Sequence, residues 1–481
     1  MFTGIDIGGT NTDIALVGDE IRTIKISNTR GIEEALRAAG DNTRLAVSTS
    51  QPLNEMVTGA GGRIRTITIP GPGLVYRGAV KGAVSPRGEV FEPVDTGEIE
   101  DLLRGCRADG IAIAGKFSVR NPIQEEIVRD IARQFFNDDR IAISAPLGEL
   151  NFPARITTTR INARIKPVVM SLTRRIQPYH EDFFFVTSDG GLSGPSRVSE
   201  NPSLLYHSSP ATVAFGAAYL SGRTDCLVVD IGGTTTDLVP LKDGKPVREH
   251  LIMNGTSTMI TTVRTYTIPL GGDSCIRDEL MPFRSGNARA FGGAEPTLTD
   301  ALNQLGESFG DHRRSSCLNR EKAEEAVGRY IRKVSDAIRA LNPGLIVGTG
   351  FLAPALIPRI ADPARVPYTV PEHAASANAV GAAVSRISIS LHVHADSGRR
   401  IITLNGTEYP FPGELCDDGL VDYAGELVRV LARREGAPDE DLRDLETTRY
   451  SMYNVVRGGQ VQACITDFVI SITPGITADA P

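Results

Sequence analysis

Two copies of one short motif carry the residue types best suited to phosphate chemistry. Residues 6–13 read DIGGTNTD and residues 230–237 read DIGGTTTD, so seven of eight positions agree across a separation of 224 residues. Adjacent glycines let a backbone turn where a Cβ would clash, and their N–H groups can then face an anion. Threonine hydroxyls add donors, and the first aspartate of each copy, Asp6 or Asp230, can hold Mg²⁺ or orient an attacking group. Two such turns, one in each half of the chain, could clamp a polyphosphate from opposite sides.

The residues around each motif predict the elements that position it. Phe2–Ile5 and Ile14–Val17 flank the first copy, and Cys226–Val229 and Leu238–Leu241 flank the second. This pattern of apolar runs predicts a hairpin of strand, glycine turn and strand. For a single copy, a tight turn capped by an aspartate is the alternative, which two near-identical copies disfavour. The glycine spacing differs from that of the P-loop and of the dinucleotide-binding fingerprint, both of which precede a helix.

The duplicated Asp-Gly-Gly-Thr hairpin resembles those of the actin-like ATPase superfamily, which contains sugar kinases, chaperone ATPases and actin. The resemblance implies an α/β fold of two actin-like (ribonuclease H-like) halves with a nucleotide in the cleft between them. It places one phosphate-binding turn over Asp6–Thr12 and the other over Asp230–Asp237.

Composition narrows the class of protein. The chain has 481 residues, 41% hydrophobic and 23% charged, which is typical of globular proteins and suggests roughly two to four domains. A formal net charge of −7 argues against a dedicated nucleic-acid-binding protein. We expect no membrane helix and no signal peptide, because no apolar run reaches ~18 residues and the N-terminus lacks a basic region. Six cysteines, the nearest two 42 residues apart, exclude a C-x-x-C site and favour a cytoplasmic protein.

Alternating strand and helix patterns indicate α/β architecture as far as about residue 386. We predict an N-terminal half over 1–153 with a small β insertion over about 60–95, a second half over 154–386, and a small C-terminal α+β module over 387–481. The module carries no phosphate-type motif, so packing, dimerisation and partner docking remain open as its role.

Motifs in the second half make the resemblance more specific. Ser208–Ala211 precedes the second glycine turn, and Leu270–Ser274 and Pro296–Ala301 follow it. Their order resembles the Ser-Gly-Pro-Ala, glycine-rich and Pro-Thr-x-Thr-Asp-Ala segments of the hydantoinase A / 5-oxoprolinase family. Ser188–Gly191 resembles the Ser-Asn-Gly-Gly of that family, and Arg155–Asn162 resembles its Arg-Thr-Ser-Thr-Thr-x-x-Asn. The likeness covers about residues 1–386.

The family resemblance implies ATP-dependent ring opening of a cyclic amide, such as a hydantoin or 5-oxoproline, through phosphorylation of the carbonyl oxygen. It implies ATP and Mg²⁺ as cofactors and a hydantoinase B-type subunit as a partner, and it leaves a homo-oligomer open. Asp6 and Asp230 are the predicted catalytic and metal-binding residues. The predicted nucleotide-binding residues are Gly8, Gly9, Thr10, Asn11, Thr12, Gly232, Gly233, Thr234, Thr235, Thr236, Gly271, Gly272, Gly348 and Gly350.

Two other functions fit the same superfamily. A small-molecule kinase would release a phosphorylated substrate, whereas a hydrolase releases ADP and inorganic phosphate. An ATP-switched binding module, as in chaperone ATPases, would need a long substrate-binding extension, and only about 95 residues follow the second half.

Isolated reactive residues carry weaker signals. His207 adjoins the Ser208–Ala211 segment and is either an acid or base near substrate or a histidine at the edge of a core. His392 and His394 share one side of a predicted strand; half a metal site is the alternative to a solvated strand face, which we favour. Cys275 has no His–acid partner in the sequence to activate it as a nucleophile.

Overall fold

A computed structural model of the chain describes residues 1–40, 44–59, 61–410 and 417–481. Its first sheet is built on the first glycine hairpin, in which Phe2–Ile7 pairs antiparallel with Asn11–Val17 as predicted. Ile5 and Ile14 are fully buried in this hairpin, because helices cover the sheet. The six strands lie in the order Leu192–Ser193, Phe183–Val186, Arg44–Thr49, Phe2–Ile7, Asn11–Val17 and Ile21–Ser27.

The second sheet repeats this arrangement. Cys226–Ile231 pairs antiparallel with Thr236–Lys242 and parallel with Ile346–Thr349, and the first hairpin makes the same two kinds of pairing. Three antiparallel strands followed by two parallel ones form the ribonuclease H-like order in both halves, so the predicted fold class is confirmed. The strands lie in the order Tyr266–Ile268, Thr236–Lys242, Cys226–Ile231, Ile346–Thr349 and Tyr368–Thr369, with Lys245–Pro246 also paired to Thr236–Lys242.

Capping residues determine where the helices begin and end. Arg320–Leu341 shows the reason: the Asn319 side chain accepts a hydrogen bond from the Lys322 N–H at its start, and Asn342 ends it in the left-handed conformation. Within the described ranges, no helix is long and apolar enough to cross a bilayer. The α-helices are Ile32–Ala39, Gln51–Thr58, Thr96–Arg104, Ile123–Ala132, Phe152–Ile176, Pro195–Glu200, Ser209–Ser221, Leu298–Gln304, Arg320–Leu341, Ala353–Ala364, Ala377–Val384 and Asp417–Arg434.

An insertion between two strands of the first sheet forms a small α/β layer. Its parallel strands are Ile64–Ile69, Gly110–Gly115 and Ile141–Ile143, and a short hairpin pairs Ala83–Val84 with Val90–Glu92. The predicted β insertion over 60–95 begins at residue 60, which lies outside the described residues. Because Ile64–Ile69 pairs with a strand beyond residue 95, the inserted sheet extends further along the chain than the sequence pattern indicates.

The C-terminal strands form a five-stranded antiparallel sheet on which Asp417–Arg434 packs. The apolar core of this sheet continues into the first sheet, where it includes Val186 and Leu192. Arg120 of the insertion also reaches Asp467 of this sheet, with 2.7 Å between Nη2 and Oδ1. The boundaries of the three predicted domains stay a prediction. The strands lie in the order Thr407–Pro410, Ile401–Leu404, Ile389–Asp396, Gln460–Ile472 and Leu445–Arg457.

Two helices of small residues join the halves. Ser209–Ser221 leads from the first sheet to the second, and Ala377–Val384 returns to pack on the first sheet. The helices cross where each has a glycine. A Cβ on Gly216 would overlap the carbonyl oxygen of Ala377, and a Cβ on Gly381 would overlap the carbonyl oxygen of Thr212. The two glycines therefore set the distance between the helices.

Gly381→Ala should destabilise the protein by about 1–3 kcal/mol, even though alanine has the higher helix propensity, because the two backbones must separate to admit the methyl group. Urea denaturation measures this change. Gly105→Ala is the matched control, since no atom lies within 4 Å of its Cβ position and its φ of −92° suits alanine. Equal free energies of unfolding for wild type and Gly381→Ala would contradict the close crossing.

Candidate functional site

The two glycine turns have the same geometry. In each turn the N–H of the first glycine donates to the carbonyl three residues further on, from Gly8 to Asn11 at 3.1 Å and from Gly232 to Thr235 at 3.0 Å. The second glycine of each turn is exposed at the tip. The repeat seen in the sequence is therefore a repeat of backbone hydrogen bonding.

Asp6 and Asp230 occupy equivalent positions at the ends of the central strands. The neighbouring parallel strand supplies each with a hydroxyl: Ser48 Oγ donates to Asp6 Oδ1, and Thr349 Oγ1 donates to Asp230 Oδ1 at 2.9 Å. The strand registers require these pairs, because Asp6 lies beside Ser48 and Asp230 beside Thr349. Our sequence analysis missed both hydroxyls. A polar residue at the end of the next apolar strand is the signal that could have found them.

The two carboxyls are partly buried and interact with each other. Desolvation raises the pKa of Asp6 to about 6 and that of Asp230 to about 7. Their cross-strand neighbours, Asp13 and Asp237, raise these pKa values further, whereas the hydroxyl bonds lower them. The charge of Asp6 contributes a smaller further increase to the pKa of Asp230. Such a pair is stabilised by a bound cation or a proton.

The oxygen donors of this site suit Mg²⁺. Over the described ranges, no group of three or more His, Cys, Asp and Glu side chains is arranged to hold a metal on its own. Mg²⁺ commonly binds one or two carboxylates together with substrate phosphates and water. Asp6 and Asp230, each next to a glycine turn, match that donor set, and their binding of Mg²⁺ stays a prediction.

One amide side chain braces the first turn. Asn28, just after the third strand of the first sheet, donates from Nδ2 to the Gly8 carbonyl at 2.9 Å. Its backbone N–H donates to the Thr10 carbonyl at 2.9 Å, and its Oδ1 accepts from Thr12 Oγ1 at 2.9 Å. Asn28 therefore fixes both sides of the turn. The glycine-turn motif does not include Asn28, because Asn28 lies sixteen residues beyond Thr12 in the sequence.

A second glycine turn braces the turn at Gly232. The Gly272 N–H donates to the Gly232 carbonyl at 3.0 Å, and the Asp273 N–H donates to the Gly233 carbonyl at 2.7 Å. A Cβ on Gly271 would overlap the same backbone. The structure thus brings the predicted residues Gly271 and Gly272 against the second turn, where direct contact with a ligand stays a prediction.

The threonines of the turns fall into two groups. Thr12 and Thr236 are buried, and their hydroxyls bond inward; Thr236 Oγ1, for example, donates to the Leu270 carbonyl at 2.8 Å and lies 2.6 Å from the Tyr330 hydroxyl. These two residues shape the turns, and their predicted phosphate contacts stay untested. The hydroxyls that are at least partly exposed belong to Thr10, Thr234 and Thr235.

Gly348 and Gly350 lie at the end of the strand beside the second turn. A Cβ on Gly348 would overlap the side chain of Ile357, so this glycine lets the helix Ala353–Ala364 pack on the sheet. Gly350 has a φ of +93°, and its Cβ would overlap the Ile231 carbonyl next to the second glycine turn. Gly350 therefore borders the predicted nucleotide site and Gly348 lies within the sheet; adenosine contact at either stays a prediction.

One arginine bridges the two turns. Arg284, the last residue of the strand Leu280–Arg284, donates from Nη1 to Thr10 Oγ1 at 2.9 Å, across 274 residues of sequence. Its Nε lies 3.1 Å from Asp273 Oδ2, beside the second turn. No sequence motif marks Arg284, because the contact depends on how the two halves meet.

His207 lies near the second hairpin. The backbone N–H of His207 donates to Ser188 Oγ at 3.3 Å. Burial lowers the pKa of His207, and the nearby Asp237 carboxylate partly offsets this effect. Both readings of His207, an acid or base near substrate and a histidine at the edge of a core, are compatible with this position.

The remaining candidates are packed into the protein. The expectation of a solvated face for His392 and His394 is wrong: His394 is 3% exposed, with Nδ1 3.0 Å from Asp467 Oδ1, and burial lowers the pKa of His392 to about 4. Cys275 is fully buried, which removes it from contact with a substrate.

Two ribonuclease H-like halves, each with a glycine turn and an aspartate near the end of its central strand, define the actin-like class of fold. The family model described as hydantoinase/oxoprolinase matches residues 155–327, and the model of the N-terminal region of that family matches residues 3–136. The chain therefore belongs to the hydantoinase/oxoprolinase family of enzymes.

Relatives and solved structures are similar at low sequence identity. Over 307 residues the chain is 23% identical to an uncharacterized protein of Methanocaldococcus jannaschii, a match that covers 56% of this chain and 45% of the relative. The chain thus matches less than half the length of that relative. Nucleotide-free acetone carboxylase has a TM-score of 0.73 at 16% identity, covering 100% of this chain and 88% of that one. ATP-dependent caprolactamase from Pseudomonas jessenii has a TM-score of 0.66 at 17% identity, with the same coverage of 100% and 88%. At such identities the likeness establishes the fold.

Asp230→Asn should stabilise the nucleotide-free protein at alkaline pH. The folded-state pKa of about 7 exceeds the ordinary value of 3.8, so the cost of burying the charged form grows as pH rises from about 4 to about 7. The free energy of unfolding of the variant should exceed that of wild type by on the order of 2 kcal/mol at pH 8, and the two should converge near pH 4. Urea denaturation across this pH range tests the prediction.

Asp19→Asn, in an exposed turn, is the matched control for this pH series and should follow wild type throughout. A wild type that is as stable as Asp230→Asn at pH 8 would show that the Asp230 carboxylate is not desolvated.

Proposed function

We propose that the protein uses ATP to open the ring of a cyclic amide, such as a hydantoin or 5-oxoproline, by hydrolysis. The observation that carries the proposal is the pair of matched glycine turns with neighbouring carboxyls, in a chain of the hydantoinase/oxoprolinase family. Acetone carboxylation by the carboxylase named above is ATP-dependent, and so is the caprolactamase; both support ATP as the nucleotide.

The two turns would hold the phosphates from opposite sides. Their exposed tip glycines and the partly exposed hydroxyls of Thr10, Thr234 and Thr235 are the groups available for this contact. Asp6 and Asp230 would bind Mg²⁺, which when present neutralises charge on the phosphates. Ser48 and Thr349 each bond one oxygen of these carboxyls, so the second oxygen of each aspartate can bind the cation.

An amide carbonyl is a poor electrophile, and this explains the need for ATP. Transfer of the γ-phosphoryl group forms an O–P bond to the carbonyl oxygen as the P–O bond to ADP breaks. Water then adds to the ring carbon, the C–N bond breaks as the nitrogen takes a proton, and a second water releases inorganic phosphate. The protein contributes by aligning the phosphoryl group with the carbonyl oxygen and by stabilising the charge that develops.

The proposal extends to the setting of the reaction. A hydantoinase B-type subunit is the expected partner, and a homo-oligomer remains compatible with the chain. We also propose a cytoplasmic location, because five cysteines in the described part of the chain are free thiols.

Release of ADP and inorganic phosphate should depend on a cyclic amide. The assay offers hydantoins, 5-oxoproline and simple lactams with Mg–ATP, with and without a B-type subunit, and follows ADP, phosphate and the ring-opened acid. A phosphorylated product that accumulates without ring opening would replace the proposal by a small-molecule kinase. Absence of nucleotide binding by calorimetry would contradict both.

Asp6→Asn and Asp230→Asn should each lower kcat of this reaction at least about 100-fold, because each removes a charge that is expected to balance the phosphates. Circular dichroism should show an unchanged fold, since neither side chain supports an apolar core. Asp19→Asn provides the matched control and should retain full activity. Wild-type turnover in both active-site variants would overturn the roles given to these aspartates.

A further inference from the structure

Arg284 links the two glycine turns through its side chain. It donates from Nη1 to Thr10 Oγ1 of the first turn at 2.9 Å, and its Nε lies 3.1 Å from Asp273 Oδ2. It also donates from Nη2 to Asn287 Oδ1 at 2.6 Å. Its side chain is 28% exposed, so it lies at the surface of the cleft and not in a core.

The partner of Arg284 is a carboxylate in direct contact with the second turn. The Asp273 N–H donates to the Gly233 carbonyl at 2.7 Å, and a Cβ on Gly233 would lie 2.8 Å from Asp273 Oδ2. Burial raises the pKa of Asp273, and the positive charge of Arg284 lowers it. Arg284 therefore neutralises a desolvated carboxylate that would otherwise repel phosphates at this turn.

A guanidinium suits a phosphate better than it suits a hydroxyl. Its planar fork can donate two parallel hydrogen bonds to two phosphate oxygens, whereas the contact with Thr10 uses one of its five donors. A phosphate that binds at Thr10 would meet Arg284 already oriented by Asp273 and Asn287.

We infer that Arg284 binds the terminal phosphates of the nucleotide, and that Asp273, Asn287 and Thr10 together hold its side chain in place before the nucleotide arrives. The inference rests on the proposed function, because it takes the ligand between the turns to be ATP. Arg284 belongs to the second half and Thr10 to the first, so one side chain connects the phosphates to the contact between the halves.

Calorimetry on the full chain with Mg²⁺ and the non-hydrolysable analogue AMP-PNP tests this inference. Asp273→Asn removes the carboxylate, and the double variant Asp273→Asn/Arg284→Gln removes the guanidinium as well. The double variant should bind AMP-PNP at least about tenfold more weakly than Asp273→Asn alone, because a charged phosphate contact is lost. If Arg284 serves only to neutralise Asp273, the two variants will bind equally, and the inference is wrong.

Arg277→Gln is the matched control. Arg277 lies in the turn of the same hairpin, where its Nη2 is 3.1 Å from Glu295 Oε1 and its side chain is 55% exposed; this variant should bind like wild type. If the double variant does not fold, Arg284→Met in the Asp273→Asn background removes the charge and the donors with a side chain that is still long and unbranched, and affinity equal to that of Asp273→Asn overturns the inference. A wild type that does not bind AMP-PNP refutes the proposed function and the inference together, whereas equal binding by the variants of a binding-competent protein refutes the inference alone.

Discussion

Each half carries a desolvated aspartate near the end of its central strand, Asp6 in the first and Asp230 in the second, and desolvation raises the pKa of both. The rest of the structure depends on holding this pair. Because the carboxyls are desolvated, each requires a hydrogen-bond donor that is fixed in place. The donors come from the neighbouring parallel strands, so the order and register of both sheets must bring Ser48 beside Asp6 and Thr349 beside Asp230. Under the proposed function, a bound cation would offset the cost of this desolvation.

The two glycine turns have the same backbone hydrogen bonding, but different residues hold each turn in place. A single side chain, Asn28, holds the first turn, whereas a second glycine turn holds the turn at Gly232. That second glycine turn contains Asp273, whose carboxylate contacts Arg284. Arg284 in turn donates a hydrogen bond to Thr10 of the first half. The two matching glycine turns therefore have different charged residues beside them.

Local patterns predicted the elements of this fold well. Both glycine hairpins follow from apolar runs on either side of a glycine turn, which act within a few positions of one another. Ser48 and Thr349 carry only the weak signal of a polar residue at the end of an apolar strand, and Arg284 carries none, because each meets its partner only when distant strands or separate halves pack together.

The same limit explains two further differences from expectation. Alternating residues over 64–69 indicated a local β insertion, but this strand pairs with a distant parallel strand. The strand that carries His394 alternates like a half-solvated strand, yet Asp467 of a neighbouring strand covers that histidine. Periodicity describes the faces of a strand and does not identify the element that covers each face.

A crystal structure of the chain with Mg²⁺ and AMP-PNP is the most direct test of the two-turn phosphate site. The β- and γ-phosphates should lie between the tips of the two turns, with backbone N–H groups of both halves within hydrogen-bond distance and the cation bound to Asp6, Asp230 or both. Phosphates that contact one turn alone, or a nucleotide bound outside this cleft, would contradict the central claim that the duplicated turns form one site.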